Sequence, residues 1–291
     1  MIAGKNCVRP FTWFYITDQY GLPSTIVDGI LGLTQAYPLV GGVEPENDYP
    51  TGYSLLDEMF KNQHMSKVAF STHLSQRVYE SYFDFGSWRI DGMSSPKDRI
   101  DLDIEPGYFY SLFPHGVQFR NPNLPDIKRF KFDKKIAILS TGLQYNLVPS
   151  SIQARFFELM LEGMEYSESN GVFYTSCSTR PTNIQIMIQN YWVTFNGYDM
   201  LIDAKIESTE NLCMYNWLPN KDDFWVFGQA LFTDYYVIHE PNGGVDGKIG
   251  IVPTELNKKP KLRRDTEPFK EINDIFDTQV FIIKIVTFIV A

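Results

Sequence analysis

A mainly β fold is what this sequence predicts, and three observations predict it. Short segments rich in β-branched and aromatic residues recur along most of the chain. Turn-forming residues separate them at close intervals. Helical periodicity is confined to two short stretches.

Taken in order, the first helix is predicted from Ser54, where Leu55, Leu56, Met59 and Phe60 stand at helical spacing. Lys135-Ile136-Ala137-Ile138-Leu139 is a short apolar run, as expected of a strand covered on both faces. The second helix follows Ser150-Ser151-Ile152-Gln153, which has the spacing of a capping box. Ile152, Phe156, Leu159 and Met160 then line one of its faces. Tyr191-Trp192-Val193-Thr194-Phe195 reads as a strand ended by the turn pair Asn196-Gly197. Phe224-Trp225-Val226-Phe227 and Tyr235-Tyr236-Val237-Ile238 are two more strands. No internal repeat of about 20 to 50 residues is evident.

Composition shifts after Pro253. Residues 257–271 carry Lys258, Lys259, Lys261, Arg263 and Arg264 and read as solvated. The chain then closes with the apolar run 280–291. At about 1.5 Å per residue a helix there reaches roughly 18 Å, short of the ~30 Å hydrocarbon layer. A tail packed on the body is expected, with a cut-off membrane anchor as the alternative.

The chain has 291 residues, 44% of them hydrophobic and 15% aromatic, which supports a packed core and excludes a disordered chain. A net charge of -9 argues against a nucleic-acid partner, which calls for a clustered basic face. Cys7, Cys177 and Cys213 make an odd count, so a secreted chain would carry a free thiol or lack a partner. No Cys-x-x-Cys occurs and the four histidines are scattered, so neither metal nor cofactor is expected. The first seven residues lack the charged and apolar regions of a signal peptide. Either the protein is cytosolic or the sequence begins downstream of its true start, and the motifs below favour the second.

Three motifs carry a resemblance. Asp28-Gly29-Ile30-Leu31-Gly32-Leu33 follows Phe14-Tyr15-Ile16-Thr17 and precedes the Ser54 helix, Val68-Ala69-Phe70-Ser71 and Phe83-Asp84-Phe85-Gly86. Ala137-Ile138-Leu139-Ser140-Thr141-Gly142 leads through Leu147-Val148-Pro149 into the second helix. Trp225-Val226-Phe227-Gly228 precedes Phe232, Tyr235-Tyr236-Val237-Ile238 and Gly247-Lys248-Ile249-Gly250. In this order, over roughly residues 7 to 255, the pattern resembles the pepsin-like aspartic endopeptidases.

The resemblance implies a pepsin-like acid-protease fold. Residues 1–92 would be the remaining part of an N-terminal lobe, 93–256 a near-complete C-terminal lobe, and 257–291 a charged linker and apolar tail. Ser140-Thr141-Gly142 would stand where the family has its second catalytic loop, with Ser140 in the place of the aspartate. Leu143 and Gln144 replace the small hydroxyl residues that follow, and Gln229 replaces an aspartate after Gly228. The threading strands would be 30–32 and 226–228. Cys177 and Cys213 fall where the family has a disulfide, enclosing about 35 residues and contributing on the order of 3 to 4 kcal/mol if oxidised. A disulfide implies a secretory or lumenal compartment. The first catalytic loop would lie upstream of Met1, which would also give Cys7 a lost partner.

The chemistry of the family requires a water held between two carboxylates that share a proton. No Asp-Thr-Gly or Asp-Ser-Gly occurs in this sequence, so hydrolysis is not expected. Ser140 has no recognisable general base beside it and reads as a local hydrogen-bonding residue, not a nucleophile. Three rival readings are a peptide-binding module without turnover, a non-functional product of a decayed or mis-assembled gene, and an active enzyme on a longer transcript, for which Ser140 would still leave only one aspartate. The expected partner class is a polypeptide, and the tail leaves contact with a membrane open. Other constellations read as structure. Gly243-Gly244-Val245-Asp246-Gly247-Lys248 lacks the Ser or Thr of a phosphate loop and reads as a turn. Asp101, Asp103 and Glu105 read as a solvated strand face. Phe156-Phe157 and Tyr235-Tyr236 read as core or edge residues.

Overall fold

Strand dominates the molecule. The computed structural model describes residue 33 and residues 55–75, 81–90, 93–104, 110–204, 211–241, 247–254 and 263–264. Their elements begin with α1 (Leu55–Lys61), β1 (Phe70–His73), β2 (Tyr82–Phe85), β3 (Ile100–Asp103), β4 (Ser111–Leu112) and β5 (Pro114–Arg120). Next come β6 (Lys128–Lys131), β7 (Ala137–Leu139), β8 (Asn146–Val148), α2 (Gln153–Met160), β9 (Ser167–Ser169) and β10 (Val172–Ser176). β11 (Asn183–Ile188), β12 (Tyr191–Phe195), β13 (Leu201–Asp203), β14 (Leu212–Tyr215) and β15 (Trp217–Pro219) follow. The rest are β16 (Trp225–Phe227), α3 (Gln229–Asp234), β17 (Tyr235–Glu240), β18 (Lys248–Pro253) and β19 (Arg263–Arg264).

Among the described residues these strands form four sheets. The first runs β2-β1-β17-β18-β3 and is antiparallel throughout. It joins strands from both sides of residue 92. The second runs β19-β12-β11-β5-β6 and the third β13-β14-β10-β9. The fourth, β15-β8-β16-β7-β4, is mixed, with β16 parallel to β7 and antiparallel to β8.

The burial explains the pattern. Tyr235, Tyr236, Val237 and Ile238 are all fully enclosed, as a continuous apolar run predicts for a strand covered on both faces. Tyr235 and Val237 face the main core, while Tyr236 and Ile238 pack with Met93 and Val252 beneath Trp88. On α2, Phe156 meets Phe119, Trp217 and Trp225 with ring centroids 5.3, 5.1 and 5.6 Å away. Such aromatic contacts add about 0.5–1.5 kcal/mol each beyond area burial.

Several expectations need correction. Phe60 points outward at 46% exposure, because the buried face of α1 is set by Leu55, Leu56 and Met59. The apolar run at 135–139 is a shorter strand than expected; Ile136 is exposed and Ile138 only half-buried. The capping box is not made. α2 begins after Ile152 without a side-chain cap. The Ser151 backbone N–H and hydroxyl turn instead to the Asp223 carboxylate, at 3.3 and 2.6 Å, and the Ser150 N–H donates to the Asp222 carbonyl. Asn196-Gly197 does end β12 as expected, and it opens the 3-10 turn Gly197–Met200. A Cβ on Gly197 would lie 2.4 Å from the Pro181 carbonyl oxygen, so the close approach demands glycine.

Asp101 and Asp103 are exposed on β3, in keeping with a solvated face, and Asp101 pairs with Arg99 at 2.6 Å. Cys7, the motif at 28–32, the turn at 243–246 and the tail beyond Arg264 lie outside the described residues. No helix among the described residues is long and apolar enough to cross a membrane.

Candidate functional site

The site expected from the sequence is Ser140-Thr141-Gly142, which opens the loop 140–145, and the mixed sheet defines its geometry. β7 leads into the loop and β8 leads out, while β16 threads between the two strands. Trp225, Val226 and Phe227 register with Ala137, Ile138 and Leu139. The Ser140 N–H donates to the Phe227 carbonyl at 3.0 Å, so the ladder continues into the first residue of the loop. At the other margin, the Leu139 N–H donates to the Tyr110 carbonyl at 3.2 Å.

Gly228 makes the threading possible. A Cβ there would lie 2.3 Å from the Tyr145 carbonyl oxygen and 2.4 Å from that of Leu143. Only glycine brings the chain this close to the loop backbone. The Gly228 N–H donates to Asn146 Oδ1 at 2.9 Å, and the Gln229 N–H donates to the Leu143 carbonyl at 2.9 Å. The Gln229 side-chain amide reaches the Thr141 carbonyl at 3.2 Å. The loop is thus tied to the threading segment at Ser140, Thr141, Leu143 and Asn146.

Asn146 is a residue that sequence reasoning missed. It is fully buried, and its own N–H donates to the Asn216 carbonyl at 2.7 Å. The signal was an amide residue opening the otherwise apolar β8, where a buried polar group must find partners.

Ser140 is half-buried, whereas Thr141 and Gly142 are exposed. A Cβ on Gly142 would stand 4.0 Å from Ser140 Oγ, an ordinary contact, so the loop is open on that side. His73 and His239 lie in the β2-β1-β17-β18-β3 sheet and His115 lies on β5, so none of the three shares a sheet with Ser140. Of the motif at 28–33 only Leu33 is described, and its carbonyl accepts the Tyr110 hydroxyl at 2.9 Å. Burial, with a smaller push from the Asp57 charge, raises the Tyr110 hydroxyl far above its usual range, so it remains a donor at any relevant pH.

Near the base of β7, Lys135 pairs with Asp223. This ammonium and the Ser151 hydroxyl hold the Asp223 carboxyl below its ordinary range. Cys177 and Cys213 form the disulfide that the resemblance implies, with Cα atoms 4.9 Å apart. It ties the end of the β10 hairpin to β14.

A strand threaded through a loop, closed by a glycine in tight backbone contact, defines a class of β protein. The sequence profile of the eukaryotic aspartyl proteases matches residues 15–250. The chain belongs to the eukaryotic aspartyl protease family. A probable aspartic-type endopeptidase of Trichophyton verrucosum is 22% identical over 242 residues, covering 82% of this chain and 54% of that protein. The chain therefore spans about half the length of the curated relative it matches.

Proposed function

We propose that this chain is a non-hydrolysing member of the aspartic endopeptidase family whose ligand class is an extended polypeptide. The single observation behind this reading is the hydroxyl of Ser140 in a loop whose backbone framework is otherwise complete. A serine hydroxyl cannot share a proton with a partner carboxylate at acid pH, nor act as its conjugate base. No Asp-Thr-Gly or Asp-Ser-Gly occurs within residues 1–291 to partner it. The Cys177–Cys213 bond supports an oxidising, secretory setting.

The test is an assay of the purified chain on an unfolded protein at acid and neutral pH, with and without a transition-state-mimic inhibitor. The expected result is no inhibitor-sensitive cleavage, with saturable binding of the inhibitor or of a peptide. Inhibitor-sensitive cleavage would overturn the proposal, and loss of all binding would remove its ligand class. Ser140→Asp alone is expected to leave the chain inactive, since one carboxylate does not make the proton-sharing pair.

A further inference from the structure

One face of the β19-β12-β11-β5-β6 sheet carries a row of polar side chains that the proposed function does not use. Val117, Phe119, Ile184, Ile186 and Val193 point from this sheet into the main core. Their alternates Gln118, Arg120, Gln185 and Thr194 therefore stand on the opposite, outer face. Register carries the row across four strands. Thr194 lies opposite Gln185, Gln185 opposite Gln118, and Gln118 opposite Arg129.

Hydrogen bonds lock the middle of the row. Gln185 is 7% exposed, and its Nε2 donates to Thr194 Oγ1 at 2.7 Å. Its Oε1 accepts from Gln118 Nε2 and, at 3.1 Å, from Arg120 Nε. Gln118 is buried as well, whereas Arg120 is exposed. The guanidinium is thus gripped from beneath through Nε, and its terminal nitrogens keep their hydrogens for another acceptor. Among the described residues no carboxylate pairs with Arg120. An exposed arginine ordinarily gives up rotamer freedom when it binds. Arg120 is ordered beforehand, so less is lost on association.

The charge of the sheet selects the sign of the ligand. β5, β6, β11 and β12 contain Arg120, Lys128, Arg129 and Lys131 and no Asp or Glu, in a chain of net charge -9. Phe130 packs on the core, so its neighbours Arg129 and Lys131 share the outer face with Arg120.

We propose that Arg120 anchors a docking site for an acidic, extended segment of a partner polypeptide, with one carboxylate of that segment held by its terminal nitrogens. A planar fork fixed at Nε matches a planar carboxylate in two parallel hydrogen bonds. An anionic lipid surface is bound differently, by many interchangeable cations. The site lies on a different sheet from Ser140, so it stands or falls apart from the proposed function.

The experiment follows the anisotropy of a labelled peptide of alternating Glu and Ser as the purified chain is added, beside the same peptide with Gln for Glu. The wild type should bind the acidic peptide alone, more weakly as salt rises. Arg120→Ala should weaken binding roughly three- to tenfold. Arg120→Lys keeps the charge and loses the fork, so it should resemble Arg120→Ala. Urea midpoints of both variants should equal that of the wild type, because the side chain is exposed. No binding by the wild type, or equal binding by Arg120→Ala, overturns the site. Full binding by Arg120→Lys overturns the fork as its basis. Arg120-dependent binding to phosphatidylserine vesicles without binding to the peptide overturns the polypeptide partner. A transition-state-mimic inhibitor should bind wild type and variants equally; its failure to bind any of them counts against the proposed function alone.

Discussion

At the scale of single residues, Gly228 is the most constrained position in the candidate site. Gly228→Ala drives a methyl into two carbonyl oxygens that the loop cannot withdraw without breaking its bond to Gln229. The expected loss is about 1–3 kcal/mol or more, read as a lower urea midpoint. An unchanged midpoint would show that the loop is not held where the hydrogen bonds place it. Asn146→Ala leaves the Gly228 N–H buried without its acceptor and should cost about 1–3 kcal/mol by the same measurement. These two residues differ in how well the sequence announced them. Gly228 was visible because an apolar triplet ending in glycine stands out after a turn. Asn146 was not, because an isolated amide reads as an ordinary loop residue until the strand that needs it has been placed. Ser140 is the intermediate case: its place at the head of the loop could be read, but its half-burial and its backbone bond to Phe227 could not.

At the scale of elements, the strands were easier to foresee than the ends of the helices. β12, β16 and β17 fall where β-branched and aromatic residues cluster, since side-chain shape and burial both favour strand there. The start of α2 misled because its capping-box spacing is real but a tertiary partner outcompetes it. The distant Asp222 carbonyl takes the Ser150 N–H that Gln153 would accept in the box. Fixing the β10–β14 region by a disulfide is also an element-scale effect. Replacing Cys177 and Cys213 together by serine opens a loop with a sequence separation of 36. The expected loss is roughly 3 to 4 kcal/mol. Thermal unfolding of the double variant beside the oxidised and reduced wild type checks it: the reduced wild type should resemble the variant. A reduced chain as stable as the oxidised one would mean that β10 and β14 hold without their link.

At the scale of the whole molecule, two buried groups set opposite slopes on stability against pH. His239 is sealed in the core, stacked on Phe70 with ring centroids 4.1 Å apart and edge-on to Tyr110 at 4.7 Å. Burial lowers its imidazole to about 3 from the ordinary 6.5. The native state therefore binds fewer protons than the unfolded one in that window, and stability falls as pH drops from 6.5 towards 3. Burial raises the carboxyls of Asp199 and Asp234 above their ordinary 3.8, so these two acids work the other way, adding stability towards acid. Glu240, held low by Lys67 and Arg99 despite the upward push of its burial, matters only below its ordinary 4.5. The two slopes partly cancel, so the wild-type profile between about pH 4.5 and 6.5 should be shallower than either group alone dictates. His239→Phe keeps the stacking shape and removes both the titration and the buried Nδ1 that lacks a partner among the described residues. It should gain on the wild type as pH falls, by up to about 1.4 kcal/mol per pH unit, and so uncover the downward slope of the two acids. Asp234→Asn should uncover the opposite slope, that of His239. Urea midpoints of the two variants across this range must diverge from each other; profiles that stay parallel would mean that neither buried group titrates with folding.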